Sequence, residues 1–321
     1  MRRILITGST GQIGSELTVE LRRKFGGENV ISTGHKRRPT GSALASGPFE
    51  FLDLDKEEEI LTIVRRYDID TIYHLAAILS AKGEEDPKMA WNVNMKSLIN
   101  ILEVARKEKV EKVFWPSSIA VFGPSSPRDN TPQETILNPT TMYGLTKVTG
   151  ELLCNYYFHK FGLDVRSLRY PGIISSETLP GGGTSDYAVA MFYDAIRSGR
   201  YACYVRKDTE LPMMYMPDCI EATIGIMMAD AGRLKRHDAY NVAGMSFSAG
   251  ALAEEISRHI PGFECTYEPD SRQKIADSWP RSVDDSAAHK EWGWKPKYDI
   301  RSMTEDMIQK VRAKLSNAGK G

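Results

Sequence analysis

Short aliphatic runs alternate with amphipathic helical stretches through the first 170 residues, and a glycine-rich turn directly follows the first run. These two observations predict an α/β protein built on a doubly wound parallel sheet. A third, the change of character after Pro171, where ISSETLPGGGTSD is rich in Gly, Ser and Thr, predicts a smaller C-terminal lobe. The strands are ILIT (4–7), VIST (30–33), FEFLDL (49–54), TIYHLAA (71–77) and KVFWPSS (112–118). Between them GSELTVELRRKFG, DKEEEILTIVRRYD and NMKSLINILEVARKEK repeat apolar residues at three- and four-residue spacing, the period of one helix face. Strand, helix, strand in succession requires right-handed crossovers and parallel pairing. A helix over about 141–161 and the strand DVRSLRYP (164–171) extend the sheet. Residues 186–199 and 217–231 read as helices, AYNVAG (239–244) as a strand returning to the main sheet, and SAGALAEEISRHI (248–260) as a further helix. The aromatic- and proline-bearing stretch from about 262 to 300 reads as an irregular cap. Residues 1–175, with the sheet completed by about 217–245, thus form the first unit, and residues 176–216 and 246–321 form the lobe.

The composition excludes several classes. Lys plus Arg and Asp plus Glu number 42 each in 321 residues, and 41% of residues are apolar and 26% charged, the balance of an ordinary soluble domain. No partnership with nucleic acid or membrane is expected. Cys154, Cys203, Cys219 and Cys265 are widely spaced, without a C-x-x-C pair, so neither a metal site nor a disulfide framework is expected. A strand starting within a few residues of Met1 leaves no room for a signal core, and a cytoplasmic location is expected.

The turn reads Gly8-Ser-Thr-Gly11-Gln-Ile-Gly14, between a strand and a helix. Glycines there permit a tight turn, close approach of backbone to a pyrophosphate and close packing of helix on sheet, while the helix N-terminus supplies amide donors. This is the arrangement of a Rossmann-type dinucleotide site, and the three-residue spacing resembles that of the short-chain dehydrogenases. Where NAD is preferred, the second strand ends in an acid that accepts the ribose hydroxyls. Here VIST is followed by Gly34-His35-Lys36-Arg37-Arg38. The cofactor choice therefore stays open: NAD fits if the basic turn is merely solvated, NADP if the guanidinium groups take a 2′-phosphate.

Tyr143 and Lys147, four apart in MYGLTK, share a helix face, and Ser117-Ser118 lies upstream at the C-terminal end of a predicted parallel strand. Oxidising a secondary alcohol needs a base for the hydroxyl proton, and a tyrosine near its ordinary pKa of about 10 is a poor one at neutral pH. A neighbouring ammonium and an oxidised nicotinamide favour the phenolate. Tyr143 is thus the expected base, Lys147 the group that lowers its pKa, and Ser118 the group that orients the substrate oxygen.

The order WPSSIAVFG then MYGLTK, behind the N-terminal glycines, resembles the extended short-chain dehydrogenases, and several further segments resemble their L-threonine 3-dehydrogenase branch. These are HLAAILSAKGEEDP (74–87), LDVRSLRYPGIIS (163–175), GGGTSDYAV (181–189), LPMMYMPD (211–218) and KIADSWPRSVDDS (274–286). The resemblance implies oxidation of the β-hydroxyl of L-threonine to 2-amino-3-oxobutyrate. It implies cofactor contacts from Gly8, Thr10, Gly11, Gln12, Ile13 and Gly14 in the loop and from His35, Asp53 and Leu54 on the adenosine side. Leu75, Ala76, Ala77, Asn94 and Ser117, with Tyr170, Pro171 and Ile173 near the nicotinamide, complete that set alongside Tyr143 and Lys147. For the substrate it implies Ser80, Ser118, Tyr143, Thr184, Ser185 and Asp186, with Trp279 closing the pocket; the glycines at Gly83 and at Gly181 to Gly183 suggest hinges on which both loops close. It also implies a homodimer paired through the helices of about 92–109 and 141–161. An NDP-sugar epimerase shares the core, but such enzymes usually carry an arginine before the helix near 218, where this chain has Leu211 to Asp218 without one. A catalytically idle dinucleotide binder is the third reading, which an intact Ser118, Tyr143 and Lys147 argue against.

Overall fold

The computed structural model describes residues 1–39, 41–179 and 181–318. Its strands are β1 (Ile4–Thr7), β2 (Val30–Gly34), β3 (Phe49–Phe51), β4 (Thr71–His74), β5 (Lys112–Phe114), β6 (Ser117–Ser118) and β7 (Asp164–Arg166). They continue with β8 (Leu168–Tyr170), β9 (Gly172–Ile174), β10 (Arg200–Cys203), β11 (Glu210–Tyr215), β12 (Tyr240–Asn241), β13 (Met245–Ser248) and β14 (Glu264–Tyr267). Six of them form a parallel sheet in the order β3-β2-β1-β4-β5-β7. The chain leaves β1 to one side through β2 and β3 and returns on the other through β4. The C-terminal ends of β1 and β4 therefore open a crevice at the switch point, where such sheets bind ligands.

Alternation along β1 sorts its residues between two cores. Ile4 and Ile6 join Leu17, Leu21, Met227 and Trp294 on one face, while Leu5 joins Ile31, Ile60, Leu98 and Val165 on the other. A third core gathers Phe192, Met213, Phe247, Ile256, Trp279 and Met307 beneath the lobe.

KVFWPSS and DVRSLRYP, each expected as one strand, are both divided. Pro116 has no N–H for a ladder, so β5 ends before it and β6 begins after it. Beyond the break the two segments keep their register, Lys112 opposite Asp164 and Ser117 opposite Arg169, and β12 joins the other edge of β8. The stretch 262–300 is more regular than expected, holding β14, which pairs with β10, and the helices Arg272–Asp277 and Ser286–Trp292. The helix Ile300–Ala318, which buries Met303, Met307 and Val311, was not anticipated. Strands β9, β11 and β13, a second small sheet, were not anticipated either. The LPMMYMPD motif ends β11 and starts the helix Met216–Met228, where the buried Asp218 carboxylate accepts the backbone N–H groups of Lys297 (3.0 Å) and Tyr298 (3.1 Å). Among the described residues, no helix is long and apolar enough to cross a membrane.

Candidate active site

Gly8 turns the chain at φ +69° after β1, and Gly11 starts the helix Gln12–Phe25. A Cβ on Gly14 would stand 2.2 Å from the Gly8 carbonyl oxygen, so only glycine lets the helix sit this close to the turn. That helix has no side-chain cap and no acid in its first turn. Its first N–H groups and its positive dipole end are left for an anion, which suits the pyrophosphate of a dinucleotide.

Thr10, Gly11 and Gln12 line an open groove of about 1610 Å³, which Ala77, Arg37 and Arg38 share. Gln12, Ile13, Leu75, Ala77, Tyr170, Pro171 and Ile173 line a second, inner chamber. Ala76 lies against Gly8. Neither cavity is lined by His35, which is exposed, or by Asp53, whose carboxylate accepts the Asp55 N–H at 3.1 Å. Leu54 packs against the core on its side of the sheet. Asn94 is buried and holds the loop after β4: its oxygen accepts the Ile78 N–H at 2.7 Å, and its amide donates to the Ile78 carbonyl and to Thr146 Oγ1, both at 3.2 Å.

The helix Met142–Phe161 begins at Thr141, whose hydroxyl accepts the Gly144 N–H at 3.1 Å. It rests on Trp115 through Gly150, where a Cβ would meet the indole at 2.2 Å. This close seat brings Tyr143 and Lys147 against β6. Lys147 is buried, donates to the Pro116 carbonyl at 2.5 Å and stands 4.4 Å from the Trp115 ring and 5.3 Å from the Tyr143 ring. Ser118 Oγ accepts the Ala120 N–H at 3.2 Å, which leaves its own proton free to donate.

Burial pushes the Tyr143 phenol up to about 12, with the Ser118 hydroxyl acting in the opposite direction. Burial also pulls the Lys147 ammonium down to about 7, partly offset by Cys154 and Glu151. Desolvation penalises both charged forms and is the largest influence on each group.

Ser117 was expected among the cofactor contacts. It lines the inner chamber, but its hydroxyl donates to the buried Glu151 at 2.5 Å. Glu151 in turn takes a bidentate pair from Arg169 at 2.7 and 2.8 Å, and Arg169 also donates to the Gln133 carbonyl and to Asn241 Oδ1. Sequence reading missed this network. Its one local signal is that Glu151 lies four residues beyond Lys147, on the helix face that also buries Gly144, Cys154 and Tyr157.

The two substrate-side loops meet. Ser80 and Thr184, 104 residues apart, are both buried and share a hydroxyl bond of 3.1 Å, and the Thr184 N–H donates to Ser80 at 3.3 Å. Asp186 accepts the N–H groups of Gly182 (2.9 Å) and Gly183 (2.7 Å). Ser80, Ser118, Tyr143, Thr184, Ser185, Asp186 and Trp279 all line the inner chamber, which measures about 140 Å³.

A second carboxylate missed in the sequence lies on the glycine-loop helix. Glu16 accepts the Ser175 hydroxyl at 2.5 Å, and burial pushes its carboxyl from 4.5 up to about 7, with Ser175 lowering, Glu177 raising, and Lys310 and Lys314 lowering it. An acid whose pKa is raised by folding stabilises the fold below its unfolded value, and that contribution is lost as pH rises through the folded one. Glu16→Gln is therefore expected to stabilise the protein by about 1–3 kcal/mol at pH 8 and to leave it nearly unchanged at pH 4.5. Urea unfolding at the two pH values checks this, and equal effects at both would refute it.

Fold and site together define a dinucleotide-binding α/β protein of the short-chain dehydrogenase type. The chain belongs to the NAD dependent epimerase/dehydratase family, whose model matches residues 4–243. It is 49% identical over 318 residues to an uncharacterized epimerase/dehydratase of Staphylococcus haemolyticus, covering 99% of this chain and 100% of that one. Among solved structures it is similar to an L-threonine dehydrogenase from Clostridium difficile, with 48% identity, 98% of each chain covered and a TM-score of 0.95. It is also similar to a monomeric L-threonine 3-dehydrogenase from a metagenome, with 49% identity, 97% and 99% covered and a TM-score of 0.93. A UDP-glucose 4-epimerase from Thermotoga maritima aligns at 20% identity with a TM-score of 0.83, a likeness of fold alone.

Proposed function

We propose that this protein is an L-threonine 3-dehydrogenase, oxidising the β-hydroxyl of L-threonine to 2-amino-3-oxobutyrate. The observation that carries the reading is the inner chamber: Ser118, Tyr143 and Lys147 converge on a space of about 140 Å³ lined also by Trp279 and by hydroxyls from two loops. Such a space suits a small zwitterion. The similarity to L-threonine dehydrogenases over nearly the whole chain supports the same reading.

In this reading a bound nicotinamide dinucleotide supplies the hydride acceptor, held by Thr10 to Ile13 and by Pro171 and Ile173. Tyr143 Oη takes the proton of the β-hydroxyl, and Ser118 donates its free proton to the same oxygen and fixes its direction. Lys147, with its ammonium near its own titration point at neutral pH, passes the proton onward from behind Tyr143. Ser80 and Thr184 offer hydroxyl donors to the carboxylate, and Asp186 an acceptor to the ammonium. Trp279 excludes water. Residues 1–175, completed by 217–245, serve the cofactor, and 176–216 with 246–321 serve the substrate, with Ile119 to Phe122 of the first unit joining the core that packs the lobe.

The exposed apolar residues Ile99, Leu145, Leu152 and Tyr156, all on the two long helices, support a homodimer, although a similar enzyme is monomeric. Sedimentation at the mass of a single chain would remove the dimer.

The test of the activity is the initial rate of nicotinamide reduction with L-threonine, run in parallel with NAD and NADP. Reduction with either is the expected result. Absence with both would overturn the assignment.

A further inference from the structure

The turn after β2 bears on which dinucleotide the site takes. We infer that residues 34–38 form a receptor for a 2′-phosphate, so that the preferred cofactor is the 2′-phosphorylated dinucleotide, in departure from the name of the family. The inference rests on the reading that the glycine loop binds a nicotinamide dinucleotide.

Three observations converge. The position that would carry a ribose-binding acid is Gly34, and a Cβ there would stand 2.7 Å from the Arg37 carbonyl oxygen and 3.3 Å from the Phe49 ring. The turn folds back so tightly that no carboxylate side chain fits without moving it. That fold directs Arg37 and Arg38 to the same groove as Thr10, Gly11 and Gln12 of the phosphate loop. The Arg38 guanidinium is braced by two aromatic rings, 5.6 Å from the Phe49 centroid and 5.1 Å from that of Phe51.

The local charge balance agrees. No Asp or Glu occurs from Gly34 to Phe49, while Lys36, Arg37 and Arg38 bring three cations. The next two carboxylates are engaged elsewhere: Glu50 accepts from Arg66 (3.1 Å) and Tyr67 (2.7 Å), and Asp53 faces Lys56 at 3.7 Å. Of the carboxylates on the glycine-loop helix that line the same groove, Glu20 is paired with Arg23 and Glu16 accepts Ser175, so a phosphate dianion at this turn finds planar donors whose nearest anions are engaged elsewhere. A merely solvated basic turn would need neither the stacked guanidinium nor the close seat of Gly34.

The experiment is a calorimetric titration of the full chain with adenosine 2′,5′-bisphosphate and with adenosine 5′-monophosphate, which differ only in the 2′-phosphate. The bisphosphate is expected to bind roughly tenfold or more tightly, with the gap narrowing as salt is raised. Arg38→Ala, and separately Arg37→Ala, should shrink that gap while changing monophosphate binding less than about threefold. Equal or weaker binding of the bisphosphate overturns the inference and leaves the dinucleotide reading standing. Binding of neither nucleotide overturns the dinucleotide reading itself. An unchanged gap in both arginine variants would show that the turn is not the receptor.

Discussion

Replacing Tyr143 by Phe is expected to lower L-threonine oxidation roughly 100- to 10,000-fold, the range for loss of a positioned acid–base group. Dinucleotide affinity should change little, because the phenyl ring keeps the packing beside Lys147 and the glycine loop is untouched. The pH profile separates this role from a structural one. Burial pushes the phenol up to about 12, so the rate of the native enzyme should rise with pH as the base ionises. The residual rate of Tyr143→Phe should lack that rise. A variant that retains native turnover, or the same pH slope, removes Tyr143 as the base.

Glu151→Ala is expected to destabilise the fold on the order of 3–5 kcal/mol, because it leaves the Arg169 guanidinium buried without its bidentate partner. For a chain of this length that corresponds to a fall in Tm on the order of 10 °C. Ser117 loses its acceptor at the same time, which removes one of the ties between β6 and the helix that carries Tyr143 and Lys147. The double variant Glu151→Met/Arg169→Met should recover part of the loss, because it removes both charges instead of stranding one. Thermal unfolding of the two singles and the double forms the test. If the losses of the singles merely add in the double, the pair is not coupled and the account fails.

Ser117 also marks where sequence reading stops. The alternation of strand and helix patterns was legible because periodicity is local: Ile4 and Ile6 on one face and Leu5 on the other follow from the two-residue repeat of a strand, without reference to the rest of the chain. The glycine loop and the Tyr-x-x-x-Lys pair were legible for the same reason, since a turn and a helix face are each settled within a few residues. Tertiary structure alone decided what distant groups do to one another. It set Ser80 against Thr184 across 104 residues, gave the Ser117 hydroxyl to Glu151, and packed the Arg37 carbonyl so close to Gly34 that a side chain there would have to displace the turn. It also set how far burial displaces Tyr143 and Lys147 from their ordinary titration, because the cost of desolvation depends on everything packed around a group and no pattern along the chain records it.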